Sequence, residues 1–118
     1  MAKHNDLGTK GEQKAVFFLQ KNGFIILETN WRYKKNEIDI IARKDEFVVV
    51  VEVKTRSTDY LDDIINVVSN KQKRFLVESI NSYIEEKDIN MEVRFDIVFI
   101  VGDKIEHIEN AFNPFDFI

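Results

Sequence analysis

The pattern of apolar and polar positions predicts an amphipathic helix at the start of the chain. Small and apolar residues recur at helical spacing through residues 6–22, and Gly23 follows as a stop signal. One acidic side chain, Glu12, shares the predicted inner face with Gly8, Ala15 and Leu19. A buried carboxylate needs a partner, so we expect Glu12 either to border a metal ion or to pair with a base such as Lys54.

Three strands are predicted next, at residues 24–28, 37–43 and 47–54, with a polar turn at residues 33–36. The third segment is apolar at successive positions until Glu52, which is typical of a central strand covered on both faces. Residues 55–68 have a weak pattern and are predicted to form a loop with a short helical turn.

A second helix is predicted to begin after Ser69, which forms an S-x-x-Q capping box with Gln72, and to end near Lys87. Its apolar face comprises Phe75, Leu76, Ile80, Tyr83 and Ile84. Alternation through residues 93–101, a Gly102-Asp103 turn and residues 104–108 predict a closing hairpin. The order α-β-β-β-α-β-β predicts an α/β fold, a central mixed β-sheet flanked by helices on both faces.

The composition limits the classes of protein to which the chain can belong. The 118 residues, 44% of them hydrophobic, predict a single domain spanning residues 1–118. The longest apolar run, residues 47–51, is too short to cross a membrane, and the chain has no cysteine, so we expect a cytoplasmic protein with no membrane partner. The net charge of −4 argues against a protein that coats nucleic acid non-specifically, but a local basic rim remains compatible with a nucleic-acid enzyme.

The chemistry is predicted at the end of the third strand. Glu52 and Lys54 project from one face because side chains alternate, and Val53 points into a core. A two-residue turn at Lys44-Asp45 would place Asp39 opposite Val50, on the same face as Glu52, whereas a three-residue turn would send Asp39 to the other face. Two adjacent carboxylates call for a cation, and an oxygen-rich site suits Mg²⁺ or Mn²⁺, which in turn suits phosphate substrates.

The chain resembles the restriction-endonuclease-like superfamily with its PD-(D/E)xK signature and, more narrowly, the YraN-like family. The resemblance covers nearly the whole chain, through Gly8, Gly11-Glu12, Gly23-Phe24, Asn30, Glu37-Ile38-Asp39, Glu52-Val53-Lys54, Arg56, Lys71, Arg94-Phe95-Asp96 and Asn110-Ala111-Phe112. The chain departs from the superfamily signature at Ile38, where the signature has proline. It departs from the family pattern at Asn36, where glycine is expected.

That family is similar in fold to archaeal Holliday-junction resolvases, and its members are described as endonucleases by resemblance. The resemblance implies a catalytic lysine, Lys54, and metal ligation by Asp39, Glu52 and the Val53 carbonyl, with Glu12 reaching the metal directly or through water. Arg56, Lys71 and Arg94 are candidate nucleic-acid contacts, although each is an ordinary surface or ion-pairing base in the simpler interpretation, and for Arg94 we favour an ion pair with Asp96.

The sequence thus favours a metal-dependent endonuclease acting on DNA, branched or single-stranded, in repair, recombination or DNA processing. The alternative is a non-catalytic nucleic-acid-binding or protein-interaction module on the same fold. Cutting both strands of a junction would require a homodimer. The aromatic residues Trp31 and Tyr33 are expected to pack rather than stack on bases, and the apolar C-terminal residues Phe112, Phe115 and Phe117 to dock on the core of the domain.

Overall fold

In the part of the chain that the structure describes, two helices and five strands follow one another in the predicted order. The computed structural model describes residues 6–56 and 68–114. It contains α1 (Asp6–Lys21), β1 (Ile25–Tyr33), β2 (Asn36–Lys44), β3 (Phe47–Arg56), α2 (Asn70–Glu86), β4 (Glu92–Val101) and β5 (Lys104–Ile108). Most of the predicted loop at residues 55–68 lies outside the described residues, and β3 continues through its first two positions.

The strands form one five-stranded sheet in the order β1-β2-β3-β4-β5. Strands β1, β2 and β3 are antiparallel neighbours, β3 and β4 are parallel, and β4 and β5 are antiparallel. The sheet is therefore mixed, as predicted. The parallel pair requires a crossover connection, and α2 lies within this connection. Helix α2 therefore begins near the C-terminal end of β3. No helix in the described ranges is long and apolar enough to cross a membrane.

The two helices cover opposite faces of the sheet. On the α1 face, Ala15 and Leu19 of α1 pack with Ile40, Val49, Val51 and Val98. On the α2 face, Leu76, Ile80 and Tyr83 of α2 pack with Ile41, Val48, Val50 and Phe95. Successive valines of β3 thus enter different cores, which confirms the prediction of a central strand buried on both sides.

Helix α1 approaches β3 closely at Gly11. A Cβ atom added to Gly11 would collide with Thr55 Oγ1 and lie 3.3 Å from Thr55 Cβ. Glycine therefore permits this approach, and it brings the next residue of the helix, Glu12, to the end of the sheet where β3 carries its charged side chains.

The hairpin between β2 and β3 differs from the predicted one. Lys44 pairs with Phe47, so the turn is Asp45-Glu46, and Ile41 rather than Asp39 lies opposite Val50. Asp45 adopts a left-handed φ of 53°, which aspartate tolerates better than most residues, and this explains a tight turn without glycine. The predicted register was wrong by two residues. An even shift keeps the paired side chains of β2 and β3, from Ile40 to Lys44 and from Phe47 to Val51, on their predicted faces.

Strand β1 is also longer than predicted, because it continues to Tyr33 and only Lys34 and Lys35 form the turn into β2. Trp31 stacks on Tyr33, with 6.2 Å between ring centroids, and meets Tyr83 of α2 edge-on at 5.1 Å. These contacts confirm that the aromatic pair packs against the fold.

The end of the described chain also docks as expected. The ring of Phe112 is buried and stacks on Phe95, with 4.8 Å between centroids. Phe115 and Phe117 lie outside the described residues, so their predicted docking stays a prediction.

Candidate metal-binding active site

The site forms where β1 and β2 both depart from regular alternation. Asn30 has a left-handed φ of 51°, and it lies at the point in β1 that adjoins Asp39 in β2. Ile40 packs on the α1 face, whereas Ile38, two residues earlier, packs on the α2 face. Asp39 therefore lies where the strand switches faces, and its side chain can reach groups from both layers of the domain.

The β2–β3 ladder ends beside Asp39. The last paired residues are Ile40 and Val51, and continuing their register by one residue brings Asp39 alongside Glu52. Beyond that point the Asp39 carboxylate Oδ2 accepts a hydrogen bond of 2.8 Å from the backbone N–H of Val53. A side chain thus replaces the backbone partner and keeps the Asp39 carboxylate against β3.

Three carboxyl groups from three elements meet here, and we call Glu12, Asp39 and Glu52 the carboxylate cluster. The Asp39 carboxyl lies near enough to each of the other two to raise its pKa. Glu12 also accepts a hydrogen bond of 3.0 Å from the side-chain amide of Asn30. The structure therefore pairs Glu12 with the Asn30 amide, and not with Lys54, which was the predicted alternative.

The cluster resists full ionisation. Burial raises the pKa of Glu52 well above its ordinary value, and contact with the Asp39 carboxyl raises it further, against the opposing effects of Lys54 and Gln72. Burial also raises the pKa of Glu12; the amide of Asn30 opposes this shift, while the charges of Asp39 and Glu37 add to it. A bound cation would relieve this repulsion.

Lys54 and Gln72 complete the site on the α2 face. Glu52 accepts a hydrogen bond of 2.8 Å from the Gln72 amide nitrogen, and Lys54 Nζ lies 3.5 Å from the Gln72 amide oxygen. Val53 packs in the core of the α1 face. This confirms that Glu52 and Lys54 share a face and that Val53 points the other way.

Sequence reasoning identified Gln72 only as part of a capping box. Its backbone N–H does donate to Ser69 Oγ at 3.1 Å, as a capping residue should, but its side chain turns to Glu52. The order of elements could have revealed this contact, because the helix that follows β3 in a parallel crossover starts near the end of that strand.

The cluster opens onto a cleft of about 630 Å³. Its rim carries Arg32 and Lys35 as well as Glu37, which forms an exposed ion pair with Arg32 at 3.5 Å. Glu37 is therefore an ion-paired carboxylate of the rim. The cleft offers space for a substrate beside the cluster and places two cationic side chains at its entrance.

The donor atoms fit a hard divalent cation. Within residues 6–56 and 68–114, no three Asp, Glu or His side chains converge closely enough to hold a metal ion by themselves. Mg²⁺ and Mn²⁺ do not need such a cage, since they are commonly held by one or two carboxylates with water and substrate oxygens filling the other positions. Asp39 and Glu52 can supply the two carboxylates, and ligation by the Val53 carbonyl stays a prediction.

Comparison with known proteins shows which family the chain belongs to. Residues 11–100 match the model of the uncharacterised protein family UPF0102. The chain belongs to this family. UPF0102 proteins of Flavobacterium psychrophilum and Christiangramia forsetii are each 47% identical to it, over 98% and 95% of this chain and 100% and 98% of their own. One from Parabacteroides distasonis is 43% identical over 95% of this chain and 96% of its own.

Membership of UPF0102 confirms the predicted YraN-like relationship, and the names of these relatives state no activity. The matched segment contains the whole carboxylate cluster together with Lys54 and Gln72.

The three predicted nucleic-acid contacts of this UPF0102 protein lie in different places. Lys71 is exposed in the first turn of α2, next to Gln72. The Arg56 guanidinium donates to the carbonyl of Thr55 at 2.9 Å and lies over the Phe99 ring. Both adjoin the end of β3 or the start of α2, near Lys54.

Arg94 lies apart from the carboxylate cluster, on the α1 face. Its guanidinium binds both carboxylate oxygens of Asp96, at 2.9 and 2.8 Å, and only 13% of its side chain is exposed. The rings of Phe24 and Phe47 flank it. The predicted ion pair is confirmed, and Arg94 serves the fold of the UPF0102 domain.

Asp96 organises a second polar cluster, of which the sequence predicted only the ion pair with Arg94. Its buried carboxylate lies 2.8 Å from His107 Nε2 and accepts the backbone N–H of Asn110 at 3.0 Å. Burial raises the pKa of Asp96, but hydrogen bonds from His107, Arg94 and Asn110 outweigh it and hold that pKa below its ordinary value. The spacing between His107 and Asp96 gave no signal, because the contact depends on the β4–β5 pairing.

Proposed function

We propose that this UPF0102 protein is a metal-dependent endonuclease that hydrolyses phosphodiester bonds in DNA. The observation that carries the proposal is the placement of Asp39, Glu52 and Lys54 at one end of two adjacent strands, beside an open cleft. Two carboxylates with an adjacent lysine and no competing thiolate form a donor set suited to Mg²⁺ and to phosphate chemistry.

Each residue has a role in this proposal. Asp39 and Glu52 hold the cation, with the Val53 carbonyl as a further ligand. When bound, Mg²⁺ or Mn²⁺ lowers the pKa of a coordinated water and neutralises charge that develops on the phosphate. Lys54 projects from the same face as Glu52, where its ammonium donates hydrogen bonds to the attacking water or to a phosphate oxygen. Glu12 approaches from α1 and reaches the cation directly or through water.

The charge distribution supports a nucleic-acid substrate at this place. The chain is acidic overall, with a formal net charge of −4, yet Arg32 and Lys35 border the cleft and Lys71 is exposed next to its lining residue Gln72. Phosphates flanking the scissile bond can pair with these cationic side chains. Such a small number of phosphate contacts is suited to a nuclease that engages only a short stretch of DNA. The proposed substrate is branched or single-stranded DNA, in repair, recombination or processing.

The experiment is a cleavage assay on end-labelled single-stranded, duplex, flap and four-way-junction DNA in Mg²⁺ or Mn²⁺. We compare the wild type with Glu52→Gln and Lys54→Ala. Glu46→Gln, in the turn at the other end of β3, and Lys87→Ala, after α2, are controls with the same changes of charge. The proposal predicts metal-dependent cutting that both site variants lose and both controls retain.

Two outcomes would reject the proposal. Cutting that persists in Glu52→Gln and Lys54→Ala would point to a contaminating nuclease. Binding of the DNA panel without any cutting, under conditions in which Mn²⁺ binds the protein, would instead favour a non-catalytic binding module on this fold.

A further inference from the structure

One amide side chain contacts both charged residues of the β3 motif. Gln72 Nε2 donates to Glu52 Oε2 at 2.8 Å, while Gln72 Oε1 lies 3.5 Å from Lys54 Nζ. Gln72 comes from another element, the first turn of α2, where Ser69 fixes its backbone. Gln72 thus ties the end of β3 to α2.

The two contacts define how the amide must be oriented. A glutamine amide has a donor end and an acceptor end, and here the donor end meets a carboxylate and the acceptor end meets an ammonium. Reversing the amide would turn both contacts into repulsions. The acceptor oxygen of Glu52 and the ammonium of Lys54 therefore fix the orientation of Gln72, and Gln72 in turn restricts the rotamers of both side chains.

An uncharged partner has a specific advantage at this position. A lysine or arginine at residue 72 would pair with Glu52 and compete with a cation, whereas a glutamate would add repulsion to the carboxylate cluster. Glutamine satisfies one oxygen of the nearly buried Glu52 side chain and adds no charge beside the proposed cation site.

We propose that Gln72 is a positioning residue that orients the Glu52 carboxylate for a divalent cation and holds the Lys54 ammonium beside it. This inference rests on the proposed function. Hydrogen-bond partners of metal ligands commonly change metal affinity or activity by about 10- to 100-fold when they are removed.

The test uses the full chain and three variants. Gln72→Met has a similar length and loses both contacts. Gln72→Asn keeps an amide but is one methylene shorter, so that it cannot span Glu52 and Lys54, and it guards against a folding defect in the first variant. Gln20→Met, on the exposed side of α1, is the matched control. Calorimetric titration with MnCl₂ gives the dissociation constant, and thermal unfolding in chelator checks the fold.

We expect Gln72→Met and Gln72→Asn to weaken Mn²⁺ binding by about 10- to 100-fold, with Gln20→Met unchanged. In the cleavage assay they should lower kcat at saturating Mn²⁺ and leave KM for DNA close to the wild-type value, because Lys54 is no longer held in place. Mn²⁺ affinities within twofold of wild type in both Gln72 variants would overturn the inference.

The two proposals can fail separately. A wild-type protein that binds Mn²⁺ but cuts no DNA would reject the nuclease, and the Mn²⁺ affinities would still decide the role of Gln72. Normal metal-dependent cutting by both Gln72 variants would reject the role of Gln72 and leave the nuclease standing.

Discussion

The carboxylate of Asp39 accepts a hydrogen bond of 2.8 Å from the backbone N–H of Val53 in the adjacent strand. This bond takes over where the β2–β3 ladder ends, and it holds one carboxylate beside another, Glu52. The contact gives Asp39 two separable tasks. One oxygen supports the end of the sheet, and the negative charge serves the proposed cation.

Two variants of Asp39 should separate these tasks. Asp39→Asn keeps an oxygen that can accept the Val53 N–H, so we expect a stability close to wild type but Mn²⁺ binding weakened at least about tenfold. Asp39→Ala leaves the Val53 N–H without its partner and should also lower the free energy of unfolding by about 1–3 kcal/mol. Urea denaturation and calorimetric titration measure the two effects. Equal Mn²⁺ affinity in Asp39→Asn and wild type would contradict the proposed role of this charge.

Glu52 should make the metal-free protein less stable at neutral pH than at acid pH. Its pKa is raised in the folded protein by burial and by Asp39, so the folded state keeps a proton that the unfolded chain has lost. The free energy of unfolding then falls as the pH rises from the ordinary glutamate pKa through the folded-state value. Glu52→Gln should remove this dependence and stabilise the chelated protein by about 1–3 kcal/mol at pH 8.

Denaturation in urea between pH 4 and pH 8, with EDTA present, measures that difference, and Glu46→Gln in the exposed turn is the control. Added Mg²⁺ should stabilise the wild type and leave Glu52→Gln unchanged, because a ligand stabilises only the state that binds it. A variant less stable than wild type at pH 8 would show that Glu52 is not an energetic burden in the apo-protein.

The elements and the position of the motif could be predicted because they depend on local patterns. Alternation placed Glu52 and Lys54 on one face, and the Ser69 cap marked the start of α2. The contact between Asp39 and Glu52 survived a wrong hairpin turn, since an error of two residues preserves the side-chain face. The left-handed conformation at Asn30 has no strong signal in one sequence, so the change of face beside Asp39 could not be foreseen.

Contacts between distant elements were harder to predict. The side chain of Gln72 has two good uses, to complete a cap or to meet Glu52, and only the packing of α2 on β3 decides between them. His107 likewise has no partner close in sequence, and it meets Asp96 only because β5 pairs with β4.

Gly11 should be required for the close contact between α1 and β3. In Gly11→Ala, the new methyl group collides with Thr55, and overpacking of this kind costs about 1–3 kcal/mol. That cost exceeds or cancels the gain of about 1 kcal/mol expected from replacing glycine in a helix. Thr55→Ala should rescue the variant, and a double-mutant cycle in urea measures the coupling. Gly11→Ala that stabilises the wild-type background would contradict the contact.

Asp96 should support the fold without affecting the metal site. Its pKa is held below the ordinary value because hydrogen bonds outweigh burial, so it stabilises the fold above that value, and this stability is lost as the pH falls through the folded-state pKa. Asp96→Asn leaves the nearly buried Arg94 without its counter-ion and should cost about 3–5 kcal/mol at pH 7.

The Mn²⁺ affinity of Asp96→Asn, measured at a temperature where circular dichroism shows it folded, should equal that of wild type. A selective loss of Mn²⁺ binding in this variant would mean that the two polar clusters are coupled across the sheet.

The central claim is that Asp39 and Glu52 together bind a divalent cation at the end of β3. Its most direct test is an anomalous difference map from crystals of the full chain soaked in MnCl₂. The account predicts a peak in contact with the carboxylates of Asp39 and Glu52, on the side of the cleft that Lys54 faces. A map with no peak between these two carboxylates, from crystals in which the cleft is open to solvent, would contradict it.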